Sequence, residues 1–315
     1  MAVSRHSDPN AMTISGILAD WGTTNRRAWA IDRAGTVLDQ RRDDQGLLGI
    51  KDRAFDASFR GFIGDWLKAA APTAPIVMAG MVGSKLGWKE APYLQTPVQF
   101  AAIAGSLTAL PDLDGHPVRI APGVSHRAAG LPDVMRGEEC QLYGFWLRAN
   151  ADRLCVLPGT HSKWAEVQDG GMTAFRTYMT GEVFAQLSGS GTIAQLIKKD
   201  APHDDAAFRK GLDASAGLSA GGLLNRLFGV RAQGLFAELP GEAVASYLSG
   251  LMIGAELRDA LALRQDGTVA VIGSSHMNAL YITGLQALGI EAEAFDGDPL
   301  LRAALLEIAR AARLM

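Results

Sequence analysis

The chain has 315 residues, 48% of them hydrophobic and 20% charged, and its 30 basic and 33 acidic residues leave a formal net charge of −3. Such a length accommodates two ordinary domains with sizeable cores, while evenly spread charge, without a Lys/Arg tract or aromatic-basic alternation, argues against nucleic acid as a partner. No apolar run reaches the roughly 18 residues of a membrane helix, and the opening MAVSRHSDPNAM lacks the apolar centre of a signal peptide, so a cytoplasmic location and no membrane partner are expected.

In chain order, ILADWGTTNRRAWAIDRAG (residues 17–35) reads as a strand, a tight polar turn and a second strand. A third strand over Thr36 to Arg41 follows, then a helix from about Asp52 to Lys68, a buried strand in PIVMAG from Pro75, another in PVRIAPG from Pro117, and a helix from about Gly137 to Ala149. A boundary falls near residues 150–153, giving domains over 13–151 and 152–315. The second half opens with an echo of the first: VLPGTHSKWAEVQDGG from Val156 repeats the order apolar strand, Gly-Thr, basic residue, Trp-Ala, Asp and Gly. Beyond it come a strand in MTAFRTYM, helices over Glu182 to Lys198, Asp204 to Arg231 and Gly241 to Leu263, a strand in TVAVIGS from Thr268, a helix from Met277 to Leu288, a strand in IEAEAF from Ile290 and a last helix. Hairpin-ordered strands followed by strands alternating with helices predict an α/β protein with a mixed, helix-covered sheet in each half. Cys140 and Cys155 belong to no CxxC or Cys/His pattern and read as buried thiols, without disulfide or zinc.

The hairpin tips carry the chemistry. A glycine turn lets backbone N–H groups approach a ligand closely and neighbouring threonines add hydroxyls, which together suit a phosphate. Asp20 would repel phosphate directly, so its place at the tip suggests Mg²⁺ held largely through water. The plain alternative is that Asp20 and Gly22 satisfy turn geometry alone; the repeat of the turn in the second half argues against it. SGSGT (188–192) lacks the GK[ST] ending of a P-loop, and Gly80, Gly83 and Gly87 have the wrong spacing for a dinucleotide fingerprint.

Five segments, DWGTTNRRAW, MAGMVGSKLGWKEAPYL (78–94), RGEECQLYGF (136–145), LPGTHSKW (157–164) and YMTGEVFAQL (178–187), together resemble the 2-dehydro-3-deoxygalactonokinase family of the actin/hexokinase/Hsp70 superfamily. The resemblance runs over nearly the whole chain from Ile14. It implies two RNase H-like domains hinged about an interdomain cleft, ATP and Mg²⁺ as cofactors, and phosphorylation of the terminal 6-hydroxyl of 2-dehydro-3-deoxy-D-galactonate. By the same resemblance, Asp20 organises Mg²⁺, Gly22, Thr23 and Thr24 line the terminal phosphates with Arg27 as a further candidate, and Gly159, Thr160, His161, Ser162 and Lys163 hold the inner phosphates. Gly273 and Ser274 are expected beside the nucleoside.

Transfer also needs a base for the attacking hydroxyl. Where many relatives place an aspartate, this chain has Gly137-Glu138-Glu139 at a helix start, which favours ionised carboxylates. Glu138 ranks first, Glu139 second and Asp133 third, the alternative for the glutamates being helix capping. For the sugar acid, the GSKLGWKEAPY loop offers Ser84, Lys85, Trp88, Glu90 and Tyr93, with Gln45 as an outsider; Trp88 and Tyr93 read equally well as packing residues and Lys85 as a solvated one. Two rival functions remain on sequence alone: a polyphosphate or nucleotide phosphohydrolase of the same superfamily, suggested by RGEECQL, and a non-catalytic sugar-acid sensor. Oligomeric state is open, a homodimer being one option.

Overall fold

Residues 16–31 build the first hairpin because its two strands carry apolar, covered runs, Ile17 to Ala19 with Trp21 on one and Ala28 to Ile31 on the other. In the computed structural model, which describes residues 13–128, 130–219, 221–262 and 267–315, β1 (Gly16–Trp21) pairs antiparallel with β2 (Arg26–Ile31), Gly16 opposite Ile31 and Asp20 opposite Arg27. Burial on both faces explains the continuous apolar run in place of strict alternation. β3 (Val37–Asp43) extends the hairpin. Helix α1 (Phe55–Ala69) then buries Phe55, Phe59, Phe62, Ile63, Trp66 and Leu67 at helical spacing and returns the chain so that β4 (Ile76–Ala79) lies parallel to β1.

The sequence reading passes over most of residues 93–135. There the chain forms β5 (Tyr93–Gln95), β6 (Val98–Gln99), α2 (Ala101–Ala104), β7 (Thr108–Leu113), β8 (His116–Ile120), β9 (Gly123–Ala128) and β10 (Leu131–Met135). β8 and β7 complete a six-stranded sheet of order β3-β2-β1-β4-β8-β7, and β10-β9-β5 make a small separate sheet. Those strands are short and half-exposed, β10 burying only Met135, so they show too little alternation to be read. Helix α3 (Glu138–Ala149) ends at Asn150 in a left-handed conformation.

The contacts divide the chain into two units. One holds the chain up to Asn150 together with Asp169–Met172 and Asp298–Met315; the other holds Ala151–Gln168 and Thr173–Gly297. In the second unit β11 (Arg153–Leu157), β12 (Ser162–Gln168) and β13 (Gly171–Tyr178) precede α4 (Thr180–Gly189), α5 (Gly191–Ala194), α6 (Asp205–Ala214), α7 (Gly222–Leu235), α8 (Gly241–Leu261), β14 (Val269–Gly273), α9 (Ser275–Ala287) and β15 (Ala292–Asp296), after which α10 (Gly297–Ala311) belongs to the first unit. The strands of the second unit run β15-β14-β11-β12-β13. β11 takes β12 antiparallel on one side and β14 parallel on the other, with β15 parallel beyond; β1 in the same way takes β2 antiparallel on one side and β4 parallel on the other, with β8 parallel beyond. The repeat seen in the sequence is therefore a repeat of topology.

Three boundaries differ from the reading. The single helix expected over Asp204 to Arg231 is two, α6 and α7, parted at a stretch where Gly217 and Gly221 take positive φ. That over Glu182 to Lys198 is likewise α4 and α5, parted at Ser190. The last helix, read with the second half, groups with the first unit: Arg310 Nη2 donates to the carbonyl of Ala34 at 3.0 Å. Among the described residues no helix is long and apolar enough to cross a membrane.

Candidate active site

The first turn, residues 22–25, is held open from beneath. The carbonyls of Gly22, Thr23 and Thr24 accept from the amides of Leu47, Leu48 and Gly46 at 3.0, 3.1 and 3.0 Å, so the turn spends its acceptors on the 46–48 segment. A side chain at residue 46 would place its Cβ 2.2 Å from the Thr24 carbonyl carbon, which only glycine avoids. The amides of Thr23 and Thr24 donate to nothing among the described residues, and both side chains are exposed. Donors outward and acceptors inward make a turn that suits an anion.

Asp20 stands at the end of β1 with its side chain 21% exposed. Oδ2 accepts from Arg27 Nε at 3.0 Å and Nη2 at 2.9 Å; Arg27 Nη1 also reaches Asp298, whose other oxygen accepts from Arg42 Nη2 at 2.7 Å. Arg27 is thus engaged by two carboxylates instead of free to meet phosphate. Burial raises the Asp20 pKa above its ordinary value, Arg27 opposes that, and the charge of Glu138 adds to it. Gly80, just past β4 at φ +93°, lies where a Cβ would stand 2.6 Å from Asp20 Oδ1, and a Cβ on Gly137, at φ +108°, would stand 3.3 Å from the Gly80 Cα. These two glycines let the start of α3 approach the acid.

At that helix start the two glutamates part company. Glu139 is fully buried; Oε2 accepts from the Gly137 amide at 2.7 Å and Oε1 from Cys140 Sγ at 3.4 Å. Burial and the neighbouring Glu138 charge push its pKa up to about 7. Glu138 keeps partial exposure, and its Oε2 accepts from the Arg136 amide at 3.0 Å. Asp133 sits on β10 opposite His126. Among the described residues no group of three or more His, Cys, Asp or Glu forms a cation cage. The donor set fits Mg²⁺ all the same, because that ion takes one or two carboxylates and keeps much of its water, and Asp20 Oδ1, unlike Oδ2, is not bound by Arg27.

The second turn, between β11 and β12, rests on its own glycine. The Glu182 amide donates to the Thr160 carbonyl at 2.9 Å, and a Cβ at residue 181 would lie 2.3 Å from the Gly159 oxygen. Gly159 and Thr160 are exposed, and exposed His161 pairs with Glu182. Ser162 and Lys163 point elsewhere: Ser162 is buried with its hydroxyl donating to Glu256 Oε1 at 2.7 Å, and Lys163, 4% exposed, donates to the His161 carbonyl at 3.0 Å. Buried Glu256 also accepts from Trp164 Nε1 at 2.7 Å and from the Tyr281 hydroxyl at 2.9 Å. Burial raises the Glu256 pKa against the opposing pull of hydrogen bonds from Thr180, Ser162, Trp164 and Tyr281.

Gly273 ends β14 beside this turn, its absent Cβ 3.6 Å from Pro158 Cδ, and the Ser274 hydroxyl caps α9. A cavity of about 700 Å³ in the same unit is bordered by Tyr178, Thr180, Leu218, Met252 and Glu256. Gly273 and Ser274 do not line it.

The sugar-acid candidates scatter. Trp88 packs in an aromatic cluster with Trp21, Phe55 and Phe59, ring centroids 6.2, 6.5 and 6.1 Å away. Lys85 and Glu90 are exposed, as is the Gln45 side chain, whose carbonyl accepts from Trp21 Nε1 at 2.9 Å. Ser84 is buried with an unpartnered hydroxyl, and the Tyr93 ring lies under the Arg136 guanidinium. Sequence reasoning missed Gly46, Gly181, Glu256, Asp298 and Arg136, each of which acts through a contact distant in sequence.

Two units with one strand order, each opening on a Gly-Thr turn, define a protein of the actin/hexokinase ATPase fold. Residues 20–308 match the family described as 2-keto-3-deoxy-galactonokinase, and the chain belongs to that family. It is 37% identical over 313 residues to DgoK1 of Rhizobium meliloti strain 1021, named a 2-dehydro-3-deoxygalactonokinase, covering 95% of this chain and 99% of that protein. The 2-dehydro-3-deoxygalactonokinase of Escherichia coli K12 is 37% identical over 303 residues, again with 95% and 99% covered. A crystal structure assigned to that kinase from Sinorhizobium meliloti superposes with a TM-score of 0.86 at 37% identity, covering 94% of this chain and 96% of that one.

Proposed function

We infer that the protein is an ATP-dependent sugar-acid kinase that phosphorylates 2-dehydro-3-deoxy-D-galactonate at its 6-hydroxyl, a step of galactonate catabolism. The observation that carries this is near-full-length identity of 37% to two proteins named for the activity; the outward donors of the 22–25 turn supply its physical support.

In this reading Thr23 and Thr24 receive the transferred phosphate, and Gly159, Thr160 and His161 the inner ones. Asp20 would hold Mg²⁺, and the ion would supply neutralisation of the phosphate charge. Glu138 accepts the proton of the 6-hydroxyl as that oxygen bonds to the γ-phosphorus and the bond to the ADP oxygen breaks. It is preferred to Glu139, both of whose oxygens are already engaged in a buried setting. The nucleoside is assigned to Gly273 and Ser274, and Ser162 and Lys163 act by shaping the second turn from within. The protein works in the cytoplasm.

A coupled ADP-release assay over a panel of sugar acids, including the galactonate and gluconate epimers, tests the reading. ADP is expected only when 2-dehydro-3-deoxygalactonate is added; release of phosphate without a sugar acid would instead establish a phosphohydrolase.

A further inference from the structure

Arg136 is the residue before the glycine that opens α3, and it is 7% exposed. Nη2 donates to the Ala91 carbonyl at 2.8 Å, and the guanidinium lies 4.3 Å from the centroid of the Tyr93 ring. Nε and Nη1 have no acceptor, and among the described residues no carboxylate pairs with the group. The Ser84 hydroxyl, 8% exposed in residue terms, is likewise unpartnered. Gly83, next in the chain to Ser84, lies against the guanidinium: a Cβ there would stand 2.9 Å from Arg136 Nη1.

Arginine cannot discharge itself by losing a proton, and a buried cation without a counter-charge is among the costliest arrangements a fold contains. Every unpartnered atom on the guanidinium is a donor, so what is missing is an acceptor with negative charge. A carboxylate meets both needs, and charge-assisted bonds to arginine are among the strongest a protein makes. The rest of the residue points the same way. The Arg136 amide binds Glu138 Oε2 at 3.0 Å, while its charge sits at the far end of a long side chain, toward Ala91 and Tyr93. One residue therefore ties the base, through its amide, to an anion receptor, through its guanidinium.

We propose that Arg136, with Ser84 and Tyr93 beside it, receives the C1 carboxylate of the sugar acid and thereby selects which end of the substrate meets Glu138. The proposal rests on the sugar-acid kinase reading and adds the residue that recognises the acid.

The test compares the sugar acid with its C1 amide, in wild type and in R136Q and R136K. Wild type should favour the acid in kcat/KM by on the order of 10²-fold, the discrimination expected of hydrogen bonds to a charged group. R136Q should lower the ratio to within about threefold while KM for ATP holds, and R136K should retain an intermediate preference. A purely structural Arg136 would depress both substrates alike and leave the ratio intact, and that result overturns the proposal. A rise in KM for ATP with the ratio unchanged would assign the anion to a nucleotide phosphate and also overturn it. Should R136Q not fold, R136K and S84A decide on the same ratio. Wild type that releases no ADP with the acid would fail the kinase reading itself, a result distinct from any of these.

Discussion

The two hairpin turns are alike in support and unlike in chemistry. Each rests on a glycine whose missing Cβ lets a distant segment touch the turn backbone, Gly46 under Thr23 and Thr24 and Gly181 under Gly159 and Thr160. The first hairpin closes on the pair Trp21 and Arg26 with Asp20 one residue behind, whereas the second closes on Leu157 and Lys163 with Val156 behind. In the proposed function, the acid at the first turn serves the chemistry and the second turn, with buried aliphatics behind it, serves holding. The inward environment differs too: behind the first turn stands the charged chain Asp20, Arg27, Asp298, Arg42, and behind the second a single buried carboxylate, Glu256, collects hydrogen bonds from Ser162, Trp164 and Tyr281. A duplicated frame has thus been given two different electrostatic linings.

That contrast is open to attack, most strongly at the acids of the first unit. E138Q should lower kcat by about 10² to 10⁴-fold with little change in KM for ATP, and D20N by at least about 10²-fold; steady-state kinetics would break the contrast if either variant kept near-normal turnover. Next comes Glu139. Its folded pKa near 7 exceeds the ordinary 4.5, so between those values the folded state keeps a proton that the unfolded chain has lost, and stability falls as pH rises through that window. The integrated loss is up to about 3 kcal/mol, and denaturant titrations of E139Q from pH 4.5 to 8 should show the slope removed.

The likeness of the two supports is tested by G46A and G181A. Each new methyl meets backbone at 2.2 or 2.3 Å, so each variant should lose about 1–3 kcal/mol of stability and raise KM for ATP about tenfold. An effect from one variant alone would show that only one turn grips the nucleotide. The smallest change is expected at His161, whose pair with Glu182 is exposed on both sides, 47% and 40%; H161A should alter KM for ATP by less than about fivefold.

Much of this was legible without coordinates. The hairpins, the duplicated Gly-Thr turns, most helices and the family resemblance follow from local apolar patterning and from motifs whose residues adjoin one another, such as Gly22-Thr23-Thr24 and Gly159-Thr160-His161. Apart from β8, the 93–135 region was not legible, since β5, β9 and β10 are short, largely half-exposed and pair with one another, and β6 is only two residues long. Nor could a reading of the chain separate Glu138 from Glu139: both are helix-start carboxylates, and only the packing that buries the second and ties it to Gly137 and Cys140 tells them apart.

By itself, then, the order of residues determines the repeated frame and the kind of chemistry, because hydrophobic periodicity and turn residues act over a few neighbouring positions. Which side chains face a ligand was decided only by tertiary structure. Ser162, Trp88 and Arg27 look available in the sequence and are each engaged by partners far along the chain, Glu256, Trp21 and Asp298, while Arg136 looks ordinary and is left with two donors unmet. Burial and the closing of hydrogen bonds are properties of what the fold brings together, and no local pattern encodes them.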